Sequence, residues 1–190
     1  MNTQTRHTAV NRLFKGMLAL AVFSLAGSVQ AGSPAILNLK VTVAPGLSIA
    51  VGTATYSFGY PGVNETAYST GAIPVTNDSF GRTEDFQITG ANSTNWSIDN
   101  STNGPDTFYL RALLNTVQPS MANFTAVYST LSTVIANMKA QNYGGDQNGN
   151  NVLYNTSRNL WFMLGTPTST SYVTEQSISV TLTAADSSTF

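Results

Sequence analysis

Apolar side chains recur at every second position in several short stretches of this chain, and breakers separate those stretches, which commits the backbone to β-structure. The cleanest stretch runs from Leu37 to Val43 and places Leu37, Leu39, Val41 and Val43 on one strand face. Pro45-Gly46 interrupts the alternation, and Leu47, Ile49 and Val51 resume it up to Gly52. Residues 53–58 have the β-branched and aromatic content of a further strand, closed by Gly59-Tyr60-Pro61-Gly62. More strands are expected at 72–76, 84–89, 96–98, 107–114 and 160–164, with a last one through Ile178, Val180 and Leu182. Turn signals about every 8 to 12 residues predict a single all-β domain of the sandwich or barrel kind.

One segment, 119–142, carries both periods. Met121, Phe124, Tyr128, Leu131, Ile135 and Met138 fall three and four apart, the spacing of a helix face. The Thr, Ser and Val content of 124–137 lowers helix propensity, and Val127, Leu131 and Ile135 also share a period-two face. Helix and strand both stay open there.

The opening of the chain reads as a secretory signal. Arg6, Arg12 and Lys15 precede a short apolar run, 17–26, too short to span a bilayer, and Val29-Gln30-Ala31 suits signal peptidase cleavage before Gly32. The expected organisation is a signal at 1–31, an extended strand at 32–44 and a β-domain at 45–190. No later apolar run is long enough to act as a membrane span, so a secreted or cell-surface protein is expected.

Only 9% of the residues are charged, against roughly 25% in soluble domains, and there is no cysteine. Stability must therefore come from burial, backbone pairing or assembly with neighbours. Without the signal, five basic residues face nine acidic ones, a net charge of −4, so nucleic acid is a poor partner. Ser, Thr and Asn supply the polar surface, which suits either attached glycans or packing against further copies, where few charges need desolvation. Asn-x-Ser/Thr triplets begin at Asn64, Asn77, Asn92, Asn95, Asn100, Asn123 and Asn155. They are glycosylation candidates, with composition alone as the competing account.

Catalytic chemistry is sparse. The single histidine, His7, lies in the expected signal, so triads, histidine zinc sites and cysteine nucleophiles are excluded from the mature chain. Glu84 and Asp85 are adjacent and would point to opposite faces of a strand, unlike a paired-carboxylate site. The run Asp146-Gln147-Asn148-Gly149-Asn150 has calcium-loop spacing, but Asn151 and Ser157 stand where an EF-hand needs glycine and glutamate, so a hairpin loop is expected. No enzyme activity, cofactor or metal is expected.

The alternating strand that follows the expected cleavage site, behind the loose Gly32-Ser33-Pro34-Ala35, resembles the N-terminal extension of pilins and other β-sandwich filament subunits. The resemblance covers about residues 33–44 and the general sandwich pattern, and the chain departs from chaperone–usher pilins in having no cysteine. It implies an Ig-like, pilin-like β-sandwich in which Leu37, Leu39, Val41 and Val43 complete the sheet of the next copy. Head-to-tail donation does not close and propagates as a helical homopolymer. An ordinary first strand within its own sheet fits the alternation equally. The rival function is a monomeric carbohydrate-binding or adhesive module with Trp96, Trp161, Tyr60 and Tyr143 as stacking faces, of which Trp161 reads as core and Tyr60 and Tyr143 as the better platforms.

Overall fold

The computed structural model describes residues 36–42, as a backbone strand, and 46–187. The expected signal, the start of the extension and Val43 lie outside the described residues. Among the described residues there are eleven strands: β1 (Ile36–Thr42), β2 (Ile49–Val51), β3 (Thr55–Ser57), β4 (Thr66–Tyr68), β5 (Ile73–Asn77), β6 (Glu84–Gly90), β7 (Ser97–Asp99), β8 (Thr107–Leu114), β9 (Ala136–Asn137), β10 (Ser157–Gly165) and β11 (Ser177–Asp186). A single 3-10 turn, Met121–Asn123, is the one helical element among the described residues, and the chain is all-β as expected.

The strands form two sheets. One has the order β3-β1-β11-β6-β9; the other has the order β2-β5-β10-β8-β7, with β4 also on β10. Alternation in β8 buries Phe108, Leu110, Ala112 and Leu114, and alternation in β11 buries Ile178, Val180, Leu182 and Ala184. These residues join Phe86 and Ile88 of β6, Ile73 and Val75 of β5, and Leu160, Phe162 and Leu164 of β10 in one apolar cluster shared by both sheets. Burying each such side chain contributes roughly 1.5 to 3 kcal/mol, and this cluster replaces the missing disulfide as the source of cohesion.

β10 is buried on both faces, as its unbroken apolar run predicts. Its outward residues Trp161 and Met163 pack with Leu113 and Phe124 in a second cluster, covered by the excursion after β8. One edge of β10 is shared end to end by β5, paired with Ser157–Leu160, and β4, paired with Met163–Gly165. Ser69 sits at the junction, where its hydroxyl accepts from the Phe162 N–H at 2.9 Å and its own N–H donates to the Phe162 carbonyl.

Segment 119–142 is neither of the two elements its spacing suggested. Beyond the 3-10 turn and β9 it is irregular, and Met121, Val127, Tyr128 and Ile135 are exposed. Phe124, Leu131 and Met138, seven residues apart, are the buried anchors. Phe124 lies under the outer cluster, Leu131 is bonded to the Leu110 carbonyl, and Met138 is bonded to the Phe86 carbonyl. The segment therefore runs from the β8 edge of one sheet to the β6 edge of the other. No single face is presented along its length, so neither periodicity applies.

Candidate functional site

β1 occupies a slot between β11 and β3. It runs parallel to β11 from Ile36↔Ser177 to Thr42↔Thr183, and antiparallel to β3 over Ile36↔Ser57 to Asn38↔Thr55. The expected donor positions Leu37, Leu39 and Val41 are the register partners of Ile178, Val180 and Leu182. On its other side β11 is antiparallel to β6 along Val180–Asp186. The slot is thus walled by a ten-residue strand on one side and a three-residue strand on the other.

Where the chain re-enters the described residues after β1, a buried polar knot holds it. Gly46 is left-handed, with φ 83°, and its carbonyl accepts from the Arg82 guanidinium. The Ser48 N–H donates to Glu84 Oε1 at 3.1 Å and also to the Ser79 hydroxyl oxygen. The Ser79 hydroxyl in turn donates to Glu84 Oε1. Glu84 is fully buried, and its Oε2 has no hydrogen-bond partner among the described residues. These bonds tie the start of β2 to the turn before β6 and to β6 itself. Arg82 closes the knot with an exposed ion pair to Asp186 at 3.0 Å.

Sequence reasoning missed this anchor, since alternation placed Glu84 and Asp85 only on opposite faces of a strand and it is the turn at 78–83 that brings Ser79 to Glu84. Asp85 is buried as well, with Oδ1 accepting from the Asn151 N–H at 2.6 Å. Both carboxylates hold loops. Three oxygens of the 146–151 run are engaged in the same way: Asp146 Oδ1 accepts from the Thr116 N–H, Gln147 Oε1 from the Asn159 N–H and Asn148 Oδ1 from the Asn150 N–H, whereas the buried Asn150 Oδ1 has no hydrogen-bond partner among the described residues. No group of three His, Cys, Asp or Glu residues suited to a metal occurs among the described residues.

The sequons separate by burial. Asn64, Asn92, Asn100, Asn123 and Asn155 are exposed and Asn95 is half-buried, whereas Asn77 is fully buried. Its amide donates to the carbonyls of Arg82 and Val152 and accepts from the Ser79 N–H. Asn77 is therefore removed as a glycan acceptor, because its nitrogen is committed inside the protein.

Among the aromatic platforms, Tyr143 is corrected, whereas Trp161 is core as expected. Tyr143, expected beside Gly144 and Gly145 in an open loop, is 5% exposed, and its hydroxyl donates to the Thr130 carbonyl at 2.7 Å. Burial pushes its pKa up to about 12. Trp161 is buried, with its indole N–H donating to the Asn115 carbonyl. Trp96 is half-buried against Phe108, and its N–H donates to the Thr170 hydroxyl. Tyr60 alone of the four is freely exposed.

Trp96 forms part of an apolar cleft of about 210 Å³ with Pro61, Val63, Pro167 and Tyr172. No charged residue lines it. Phe80 and Tyr154 form an exposed edge-to-face pair, with ring centroids 5.3 Å apart, beside exposed Leu153.

The chain matches no protein-family model and no curated protein of known function.

Proposed function

We propose that this chain is the structural subunit of an extracellular, pilus-like or matrix filament, exported by residues 1–31. It is an Ig-like, pilin-like β-sandwich that polymerises head to tail by donating residues 32–44 to the next copy. The observation that carries this reading is the mismatch between how β1 and β2 are held. β2 is anchored by the buried Glu84–Ser79–Ser48 knot, whereas the flank of the β1 slot opposite β11 is the short β3. If β1 leaves, β11 presents a row of unpaired N–H and C=O groups that another copy's strand satisfies.

The link between β1 and β2 is short and carries Pro45-Gly46. A strand exchanged between identical copies makes a heterologous contact, which grows as a fibre when the rotation does not close. The low charge content suits such packing, since few ions need desolvation along the contact. Glycans on the exposed sequons Asn64, Asn92, Asn100, Asn123 and Asn155 would decorate the fibre surface. No helix among the described residues is long and apolar enough to cross a membrane.

The test is complementation. A chain beginning at Pro45 is expected to stay discrete and to bind a synthetic peptide of residues 33–44 at one per copy, and the same peptide should stop fibre growth by the chain beginning at Gly32. Failure of the peptide to bind the shortened chain counts against strand donation.

A further inference from the structure

Both ends of the link between β1 and β2 lie at the same end of the domain. β1 finishes with Thr42 opposite Thr183, three residues before Asp186, and Asp186 is the ion-pair partner of Arg82. On the far side of the link, the Gly46 carbonyl accepts from the same Arg82 guanidinium. Val43, Ala44 and Pro45 join Thr42 to Gly46, a reach of at most about 14 Å for extended chain. A copy that gives β1 to another in this register, and the copy that takes it, are therefore drawn together at their Arg82 ends.

That end carries an exposed apolar surface. Phe80 is 85% exposed, Tyr154 stands edge-to-face against it, and Leu153 is exposed beside the pair. The turn is also balanced in charge about its ring, with exposed Asp78 two residues before Phe80 and exposed Arg82 two residues after. A two-fold axis beside this turn sets ring against ring and brings the acid of each copy toward the base of the other, so the surface is complementary to itself. Exposed aromatic residues are what such contacts are built from. We propose that two copies exchange β1 reciprocally in this register and close on each other through the surface of Phe80, Leu153 and Tyr154.

The occupant of the surface is a second copy because the short link leaves a partner nowhere else to sit. Once one β1 has crossed, the vacated slot and the displaced strand of the partner open at the same junction, and the second crossing is intramolecular. Dilution slows the addition of a third copy but not this step. The dimer has both slots filled and neither β1 free, so it cannot join a fibre until it opens. The inference rests on the strand-donation reading, of which it is the closed, dormant form; head-to-tail growth takes over as subunit concentration rises.

The chain has no cysteine, so an introduced pair reports the exchange without interference. Asn38 and Ser179 are register partners on adjacent strands, within the Cα separation a disulfide spans. Ser179 alternates with the buried Ile178 and Val180, so a cysteine there leaves the core intact. The full chain carrying Asn38→Cys and Ser179→Cys is expressed with the leader, oxidised and run on a non-reducing gel. A copy that fills its own slot runs as a single chain, the closed dimer as a covalent pair and a fibre as a ladder. At low micromolar concentration covalent pairs are expected to outnumber longer species, with the ladder growing on concentration. Adding Phe80→Asp, with an unchanged circular dichroism spectrum, should lower the yield of pairs at least tenfold.

Pairs undiminished by Phe80→Asp, or a ladder with no accumulation of pairs on dilution, would overturn the closed contact while leaving strand donation standing. Single chains alone at every concentration would refute strand donation and the closed dimer together.

Discussion

The side-chain amide of Asn77 donates to the main-chain carbonyl of Val152 at 2.7 Å, tying the end of β5 to the loop before β10 from inside the protein. A second donation to Arg82 and an acceptance from Ser79 complete its bonding. Asn77→Ala removes the side-chain partners of the Arg82 carbonyl and the Ser79 N–H and leaves the Val152 carbonyl only the Glu84 N–H, and should cost about 2 to 4 kcal/mol. Urea unfolding measures this directly. In a host that glycosylates Asn-x-Ser/Thr, peptide mass spectrometry should find Asn77 unmodified even where Asn64 or Asn155 carries sugar.

Tyr143 links stability to alkaline pH. Its buried phenol holds its proton to about pH 12, while an unfolded tyrosine titrates near 10. Between those values the unfolded chain binds fewer protons than the folded one. Stability is therefore complete below about pH 10 and falls as pH rises toward 12. Tyr143→Phe should cost about 1 kcal/mol near neutrality, through the lost bond to Thr130, and should flatten the alkaline decline. Denaturant melts near pH 7 and about pH 11 check both effects.

Gly165 is the last residue of β10, and the ring of its register partner Tyr109 lies over it. A Cβ there would overlap Cε1 and Cζ of that ring. Arg111 rests on the other part of this arrangement, 4.6 Å from the Tyr109 ring centre. Gly165→Ala should displace the tyrosine at a cost of about 1 to 3 kcal/mol. In thermal melts that corresponds to a fall of roughly 2 to 12 °C for a domain of this size.

The core strands were legible because their alternation is a local property. Phe86 with Ile88, and Ile178, Val180 and Leu182, bury the face that their spacing assigns. β4 and β9 escaped because pairings of three and two residues carry no periodicity, and only β10 and β6 define them. The 119–142 excursion misled because Tyr128 and Ile135 look like face residues but are exposed, while its buried anchors belong to different layers. Tyr143 misled for a related reason. Its flanking glycines mark close packing against Ala140, Leu114 and Asn115 rather than an open loop. The pin on Ser48 was invisible because Glu84 lies 36 residues away and nothing local announces its burial.

Whether the β1 slot is filled by the same copy or by its neighbour is tested most directly by electron microscopy and size-exclusion of the chain beginning at Gly32, beside one beginning at Pro45. Fibres from the first and discrete particles from the second are the predicted result. A folded monomer from the longer chain at high concentration would contradict strand donation and leave β1 as the ordinary first strand of its own sheet.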